Sequence, residues 1–465
     1  MGSFVGTAVL ELENENTVAV NQKMLAVDDS PRISSFYTRL DDLSYKYVLN
    51  GVVSSIKLVF LSKKLNLLVP CGPLAVIVDL FTNHHGWIFF LSLLGIIPLA
   101  ERLGWVTEQL AFYTGPTVGG LLNATFGNAT ELIISMYALN RGMIRVVQQS
   151  LLGSILSNML LVLGSAFFAG GIAHSHKEQV FNKGTAVMNS GLLLMAVMGL
   201  LLPAVLHFTH TEMHFGTSEL ALSRFSSCVM LVAYGAYIFF QLTSERSLYV
   251  PIAEANNTLD AKNMLGLLCW TLTFLSASEI LTYFQEDSQN DGDSDDEEGP
   301  EISKWESVTW LFVLTVLITV LSEYLVNAIE GASVAMSIPV AFISVIMLPI
   351  VGNAAEHAGA VMFAVKDKLD ISLGVAIGSS TQIAMFGIPF SVVVGWITGQ
   401  PMNLDFQLFE TATLFMSVLV VAFMLQEGTS NYFKGLMLLL CYLIVAASFF
   451  VHIDPETIRD EAEKP

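Results

Sequence analysis

Apolar stretches of about 17 to 25 residues recur along most of this chain, which is the length that an α-helix needs to cross a hydrocarbon core about 30 Å thick. The stretches are continuously apolar and do not alternate with polar residues, which excludes a transmembrane β-barrel. Hydrophobic residues make up 53% of the chain and charged residues 13%, against roughly 25% charged residues in an average soluble domain. The sequence therefore predicts an all-α polytopic membrane protein that lies in a lipid bilayer.

The apolar stretches predict about eleven transmembrane helices. A polar cytosolic tail, 1–64, precedes a first transmembrane helix at 65–81. A first set of five spans occupies residues 86–250, near 86–104, 116–139, 146–170, 186–206 and 222–243. A second set of five occupies residues 305–454, near 305–327, 340–365, 370–398, 407–426 and 433–452, and a short tail, 455–465, follows it.

A change of composition separates the two sets of spans. Residues 251–304 contain a run dense in Asp and Glu, from Glu286 to Glu301, which cannot bury itself and is expected to form an exposed cytosolic linker. Within this linker, Asn263 to Phe284 is apolar and long enough to cross a membrane. Its hydrophobicity is diluted by a glutamate and several Ser and Thr residues, so we predict a helix at the membrane surface that does not cross.

Lys and Arg set the predicted orientation, because the cytosolic loops of membrane proteins are enriched in both. With the N-terminus in the cytosol, most of the 21 Lys and Arg residues lie on the cytosolic side, among them Lys177, Lys183 and the Lys366–Lys368 loop. The formal net charge of −20 disfavours a nucleic-acid partner, since phosphates need a basic surface. It is compatible with cations as cargo.

An internal repeat relates the two sets of spans. Gly127 to Glu131 reads GNATE and Gly352 to Glu356 reads GNAAE, an offset of 225 residues (352 − 127). The same offset places Gly153-Ser154 on Gly378-Ser379. Each copy lies in the second span of a set of five, and five is odd, so the copies cross the membrane in opposite senses. Such inverted repeats are typical of secondary transporters, whose binding site lies near mid-membrane between the repeats.

The residue types in both copies are those that bind a hard cation. Asn128 and Glu131 are three positions apart and share one face of a helix, as Asn353 and Glu356 do in the second copy. Ca²⁺ takes carboxylate, amide, hydroxyl and main-chain oxygens, about six to eight of them. The predicted ligands are Glu131, Glu356, Asn128, Asn353, Ser154, Ser157, Ser379 and Gln382, and Asn158 follows Ser157 on the same span.

The two glutamates also suggest how a proton would be exchanged for the cation. An ionised carboxylate at mid-membrane costs at least ~2.5 kcal/mol, so two of them at equivalent positions indicate function. Glu131 and Glu356 would bind Ca²⁺ when ionised and protons when the cation has left, and the bare pair would resist occlusion. His357 directly follows Glu356, where the first copy has Leu132. His357 either tunes the proton affinity of Glu356 or is a structural histidine. The residues predicted to couple protons are Glu131, Glu356 and His357.

The paired segments resemble a known family. GNATE, together with GNAAEHAGAVMFAVKDKLDISLGVAIGSSTQI, is similar to the cation/proton exchanger family of the calcium/cation antiporter superfamily, closest to plant vacuolar members, over nearly all of 65–450. The resemblance implies eleven helices, the first of them outside the repeats. It also implies transport of Ca²⁺ into an acidic vacuole in exchange for H⁺, with the signature acids at Glu131 and Glu356. Ca²⁺ and H⁺ would be transported substrates, and neither an enzymatic activity nor a cofactor is expected.

Two other functions stay open from the sequence. A cation channel also uses carboxylates for selectivity, and Na⁺ could replace H⁺ as the counter-ion in an exchanger of the same superfamily. Mn²⁺ and Cd²⁺ also accept oxygen ligands. A pump driven by a nucleotide is disfavoured, because the chain has no GxxxxGK[ST] loop. His207, His210 and His214 fall in one predicted non-cytosolic loop, where solvated histidines or a lumenal pH sensor both fit.

Overall fold

The computed structural model describes residues 53–82, 84–211, 217–249 and 300–452. A helix over 53–61 belongs to a first unit that ends at Ser62, and the described residues from Lys63 onward belong to a second unit. Most of the N-terminal tail, the segment Asn263 to Phe284, nearly all of the acidic run and the C-terminal tail lie outside the described residues. The predictions for these segments, like the predicted domain boundaries, stay predictions.

The described chain is helical apart from one pair of two-residue strands, and a 3₁₀ turn at Lys64–Leu68 precedes the first helix that we number. The strands, β1 (Gln179–Val180) and β2 (Thr429–Ser430), pair antiparallel. The helices are α1 (Cys71–Phe81), α2 (His85–Gly127), α3 (Ala129–Asn140), α4 (Ile144–Ala173), α5 (Lys183–Thr209), α6 (Thr217–Tyr249), α7 (Lys304–Met336), α8 (Val340–Gly352), α9 (Ala354–Val365), α10 (Leu369–Thr398), α11 (Leu408–Leu425) and α12 (Tyr432–Val451).

Nine helices of the described chain are long and apolar enough to cross a membrane, or ten if α8 and α9, which meet at a bend of 57°, form one span. The polytopic helical fold predicted from the sequence is confirmed. The number eleven stays a prediction: it requires a span over 116–139, where the backbone is helical on both sides of Asn128.

The backbone between the predicted spans 86–104 and 116–139 is helical and belongs to α2, which ends at Gly127. Glu101 and Arg102 form an ion pair within this helix, with Arg102 Nε 2.6 Å from Glu101 Oε2. The side chain of Arg102 is buried, and Lys63 Nζ lies 2.6 Å from the other oxygen of Glu101. Because the charges neutralise one another locally, the helix needs no aqueous break at this point.

Polarity is distributed as in a membrane protein, with apolar side chains outside and polar side chains at the centre. Phe81, Leu443 and Ile444 are 82%, 63% and 66% exposed. Asn158 and Ser157 are fully buried. In water this arrangement would be unfavourable, whereas in lipid the exposed apolar side chains contact acyl chains and the polar ones find partners inside the bundle.

The first helices of the two repeats, α2 and α7, run antiparallel against each other. On α2, the Tyr113 hydroxyl donates a hydrogen bond of 2.8 Å to the Ile302 carbonyl, just before α7 begins. At the start of α2, a Cβ built on Gly86 would lie 3.7 Å from Cβ of Ala335, near the end of α7. Equivalent helices that pack antiparallel are what an inverted repeat requires.

The fourth helices of the two repeats, α5 and α11, show the same relation. His207, near the end of α5, has its Nδ1 3.9 Å from Oδ2 of Asp405, which precedes α11. Lys183, at the start of α5, has its Cβ 3.2 Å from a Cβ position built on Gly428, which follows α11. The second pair of equivalent helices is therefore antiparallel as well.

These contacts define two ends of the helical bundle. At one end the Lys177 ammonium lies 3.7 Å from the Asp367 carboxylate, and at the other Gln148 Nε2 donates a 2.8 Å hydrogen bond to Asn403 Oδ1. We call the first end the lysine face, formed by the loops 174–182, 366–368 and 426–431. We call the second the opposite face, formed by the loops 141–143, 210–211 and 399–407.

Both helices that flank the acidic linker have their linker ends at the lysine face. α6 begins at the opposite face, where Glu219 contacts His207 at 3.0 Å, and therefore ends at the lysine face. α9 also ends at the lysine face, where the carbonyl of Ala364 accepts a 2.9 Å hydrogen bond from Gln179. Since α8 and α9 together cross the bundle once, α7 ends at the opposite face and begins at the lysine face.

One close helix crossing depends on a glycine of the repeat. A Cβ added at Gly153 of α4 would collide with the carbonyl group of Val345 in the α8 region. The absence of a side chain at this position lets the two backbones approach. Gly191 on α5 is a natural comparison, since it is exposed and a Cβ there meets no atom of the described residues within 4 Å.

We expect Gly153→Ala to lower the melting temperature of the purified protein, because overpacking a tight contact costs about 1–3 kcal/mol. Gly191→Ala should leave it unchanged or raise it slightly, since Ala favours a helix. Thermal unfolding in detergent, followed by the loss of the monodisperse peak, measures both. Equal melting temperatures for the two variants would contradict the crossing described here.

A second prediction concerns the two faces. In a variant whose four natural cysteines are replaced by serine, Lys368→Cys and Lys434→Cys should react with an impermeant maleimide from the cytosolic side only. Arg141→Cys should react from the other side only, because it lies at the opposite face. Labelling of position 368 from the lumenal side would reverse the orientation inferred from the lysines.

Candidate cation-binding site

Two helix breaks, one in each repeat, lie at equivalent asparagines. Between α2 and α3 the backbone of Asn128 adopts φ −102° and ψ 20°, and between α8 and α9 that of Asn353 adopts φ −95° and ψ 14°. At each break a helix ends, which leaves main-chain carbonyls without helical partners, and another begins, which leaves N–H groups free. The repeat thus places two half-helix ends of each kind inside the bundle, as transporters do at their ion sites.

A glutamate lies in the first turn after each break: Glu131 in α3 and Glu356 in α9. The Oε2 atoms of both are buried and have no hydrogen-bond partner among the described residues. Glu356 also contacts the side chains of Ser379 and Asn158, and its charge interacts with that of Glu131. The predicted pair of acids is therefore brought together, with one oxygen of each left available for a ligand.

A chain of side-chain hydrogen bonds orients the amides around these acids. Asn353 Nδ2 donates to Asn158 Oδ1 at 3.3 Å, and Asn158 Nδ2 donates to Ser379 Oγ at 3.2 Å. Ser379 in turn donates to Asn128 Oδ1 at 2.7 Å, and Asn128 Nδ2 donates to Gln382 Oε1 at 2.8 Å. The oxygen of Asn353 is left buried and unpartnered in the described structure. It joins the two glutamate oxygens as a third available acceptor.

The helices that carry the remaining polar residues are locally wound as π-helix. α4 has such a turn at Ser157–Val162, and α10 has one at Ile383–Gly387 in nearly the equivalent place. A π turn widens the helix and frees backbone groups, and it is frequent at functional sites. Ser157 begins the first of these turns and Gln382 directly precedes the second, and both residues were predicted as ligands.

The remaining predicted residues lie in the same interior region. Ser154 and Ser157 are buried on α4. The ring of His357 has its Nε2 3.3 Å from Ser157 Oγ, so it links α9 to the other repeat. This contact gives His357 a structural partner and leaves its role in proton coupling a prediction.

The site lies where the two repeats meet. Ser380 Oγ is 3.4 Å from the carbonyl of Ile155, and these two positions are repeat equivalents. Equivalent points of two-fold related repeats come together only near the axis.

The surroundings of the two glutamates are unequal. Glu131 Oε1 lies 3.3 Å from a Cβ position built on Gly352, whereas a Cβ built on Gly127 meets no described atom within 4 Å.

Asn158 was not among the predicted ligands. It is fully buried and bonded to both Asn353 and Ser379, so it is central to the amide network. Its equivalent position is occupied by Ile383, and a search for matched polar pairs therefore left it out of the ligand set. The sequence signal was the Ser-x-x-x-Asn spacing on α4, which places Ser154 and Asn158 on one helical face.

Comparison with known proteins agrees with this geometry. The family model described as sodium/calcium exchanger protein matches residues 84–243 and 306–451. Vacuolar cation/proton exchanger 5 of Arabidopsis thaliana is 67% identical over 406 residues, 87% of this chain and 85% of the relative. Vacuolar cation/proton exchanger 2 of Oryza sativa subsp. japonica is 63% identical over 440 residues, 94% and 93% of the two chains.

Two solved structures share the fold. The structure of native YfkE, which another structure describes as a Ca²⁺/H⁺ antiporter protein, has a TM-score of 0.63 and 33% identity and covers 83% of this chain and 100% of its own. The crystal structure of the H⁺/Ca²⁺ exchanger CAX has a TM-score of 0.57 at 13% identity, with 83% and 91% covered, and supports the fold alone. The residues that the family model matches include both breaks and both glutamates, and the chain belongs to the sodium/calcium exchanger protein family, among its cation/proton exchangers.

Proposed function

We propose that this protein is a secondary antiporter of the vacuolar membrane that moves cytosolic Ca²⁺ into the vacuole in exchange for H⁺. The observation that carries the proposal is a set of three buried oxygens, from Glu131, Glu356 and Asn353, that have no hydrogen-bond partner among the described residues and lie where two antiparallel repeats meet. Oxygen atoms without protein partners in an apolar surrounding are costly unless a ligand uses them. The names of the similar exchangers support Ca²⁺ and H⁺ as the substrates.

The arrangement explains how the two fluxes are coupled. With both carboxylates ionised and the site empty, two negative charges would have to be enclosed in a medium of low dielectric constant, which is strongly unfavourable. Either a divalent cation or protons neutralise the pair, so only a loaded site is enclosed and carried across. Ca²⁺ and H⁺ therefore compete for Glu131 and Glu356, and exchange follows because neither leaves without the other arriving.

The surrounding groups would complete the coordination of the transported ion. Main-chain carbonyls at the ends of α2 and α8 and the side chains of Asn353 and Gln382 supply neutral oxygens, the kind that Ca²⁺ takes alongside carboxylates. The hydrogen-bonded chain from Asn353 to Gln382 holds these amides in place before the ion arrives, which reduces the cost of ordering them on binding.

The proton gradient supplies the driving force. Each unit of pH difference is worth about 1.4 kcal/mol per proton, so accumulation of a divalent ion favours more than one proton per Ca²⁺. The lysine face is assigned to the cytosol and the opposite face to the vacuolar lumen, and the N-terminus would be cytosolic. The antiparallel repeats support alternating access, which a channel would not need, and they favour an exchanger over the channel alternative.

The first functional prediction tests whether the two glutamates must alternate between ionised and protonated states. Glu131→Gln and Glu356→Gln should each abolish Ca²⁺ uptake into vesicles with an acidic interior, because the amide retains the shape of the side chain but cannot ionise. Glu323→Gln is the matched control, since Glu323 is half exposed on α7 and pairs with Arg141 at 3.4 Å, away from the site. Wild-type uptake by either site variant in correctly inserted protein would refute the two-carboxylate mechanism. Uptake driven equally by a Na⁺ gradient would refute H⁺ as the counter-ion.

The second functional prediction uses the unequal contacts of the glutamates. In Gly352→Ala the new Cβ would lie 3.3 Å from Glu131 Oε1, so the carboxylate has to move by a few tenths of an ångström. We expect apparent Ca²⁺ affinity to fall about tenfold, equivalent to ~1.4 kcal/mol. Gly127→Ala, its repeat equivalent, should stay within about twofold of wild type, because Gly127 is exposed and a Cβ there meets no atom of the described residues within 4 Å. Initial uptake rates at a series of Ca²⁺ concentrations measure both, and the opposite order would contradict the asymmetry.

A further inference from the structure

The opposite face carries a cluster of one imidazole and two carboxylates that comes from three separate elements. His207 lies in the last turn of α5, Glu219 in the first turn of α6, and Asp405 in the loop before α11. His207 Nδ1 is 3.0 Å from Glu219 Oε2 and 3.9 Å from Asp405 Oδ2. One ligand atom from each residue lies within 4.8 Å of the other two.

Each carboxylate of the cluster is oriented by a hydrogen bond to the oxygen that faces away from His207. Glu219 Oε1 accepts a 2.7 Å hydrogen bond from Asn403 Nδ2, and Asp405 Oδ1 accepts one of 2.9 Å from the backbone N–H of Gln407. The other oxygens of the two carboxylates, Glu219 Oε2 and Asp405 Oδ2, are the ones that approach His207. Hydrogen bonds that orient ligating carboxylates in this way are characteristic of metal sites.

The cluster is also accessible and well anchored. The side chain of Glu219 is 4% exposed and that of Asp405 11%, whereas that of His207 is 41% exposed. An ion would therefore enter past the imidazole and reach two carboxylates fixed from behind. Asn403, which orients Glu219, is itself held by Gln148 on α4.

The donor set and its spacing identify the class of ion. A tetrahedral Zn²⁺ with bonds of about 2.0–2.2 Å places neighbouring ligand atoms roughly 3.3–3.6 Å apart, between the distances of 3.0 Å and 3.9 Å from His207 Nδ1 to the two carboxylate oxygens. Imidazole nitrogen favours first-row transition ions, whereas Ca²⁺ takes six to eight oxygens. Three protein ligands leave a fourth position for water.

We propose that His207, Glu219 and Asp405 bind a divalent first-row transition ion such as Zn²⁺, at a site separate from the paired glutamates of the membrane interior. Bound there, the ion joins α5 and α6 of the first repeat to the loop before α11 of the second. The proposal does not depend on the transport function, because the cluster shares no ligand with the interior site.

The test uses the full-length protein in detergent with Glu131→Gln and Glu356→Gln together, which removes the interior carboxylates. Calorimetric titration with Zn²⁺ should still show a bound ion, and Co²⁺ should give the visible absorption of a nitrogen- and oxygen-ligated site. Adding His207→Ala or Asp405→Asn should weaken Zn²⁺ binding at least tenfold. His176→Ala, an exposed histidine at the lysine face, is the control and should not change it.

A stability readout separates a metal site from a hydrogen-bonded cluster. If the three residues only bond one another, His207→Ala lowers the melting temperature equally with and without Zn²⁺, and the proposal fails. If they bind metal, Zn²⁺ raises the melting temperature of the parent protein, because it binds the folded state. This increase disappears in the His207→Ala and Asp405→Asn variants. Loss of all Zn²⁺ binding in the Glu131→Gln and Glu356→Gln background, or unchanged binding after His207→Ala, would also overturn it.

Discussion

The repulsion between two carboxylates enclosed in the membrane interior governs the rest of this structure. Glu131 and Glu356 interact through their charges, and each has a buried oxygen that no described protein group satisfies. An isolated pair of this kind would be unstable at mid-membrane. Both lie in the first turn of a helix, where the positive end of the helix dipole offsets part of the negative charge. The rest of the negative charge has to be neutralised by the transported cation or by protons. Because the empty, doubly charged site is unfavourable, only the loaded site is readily enclosed.

The inverted repeat is the simplest way to build such a site. One helix break supplies one carboxylate, one set of free carbonyls and one asparagine, and the second copy doubles each of them across a two-fold axis. Antiparallel packing of α2 with α7 and of α5 with α11 brings the copies together. The contact between Ile155 and Ser380 shows that the axis passes through the polar interior. Asn158, which has no polar equivalent, breaks the symmetry and connects Asn353 to Ser379.

The opposite face shows how the helices around the site are held. Gln148 on α4 bonds the 399–407 loop, and that loop contacts both α5 and α6 through Asp405 and Asn403. α4 continues from there to Ser154 and Ser157 of the interior site. An ion held by His207, Glu219 and Asp405 would therefore stabilise the same helices that carry the ligands of the transported cation, at a distance from the carboxylates themselves.

The sequence alone determined the fold class and the paired acids, because long apolar stretches permit only helices in lipid and because a repeated GNA-x-E motif at one offset marks equivalent positions. It also indicated most residues of the interior site, since a polar residue on an apolar helix is conspicuous. It did not show that the backbone between the predicted spans 86–104 and 116–139 is helical and belongs to α2. Only the tertiary structure decided that Asn158 is central, that His357 contacts Ser157, and that His207 meets Glu219 and Asp405. These contacts join residues far apart in the chain, and their distances depend on how helices cross, which no local pattern specifies.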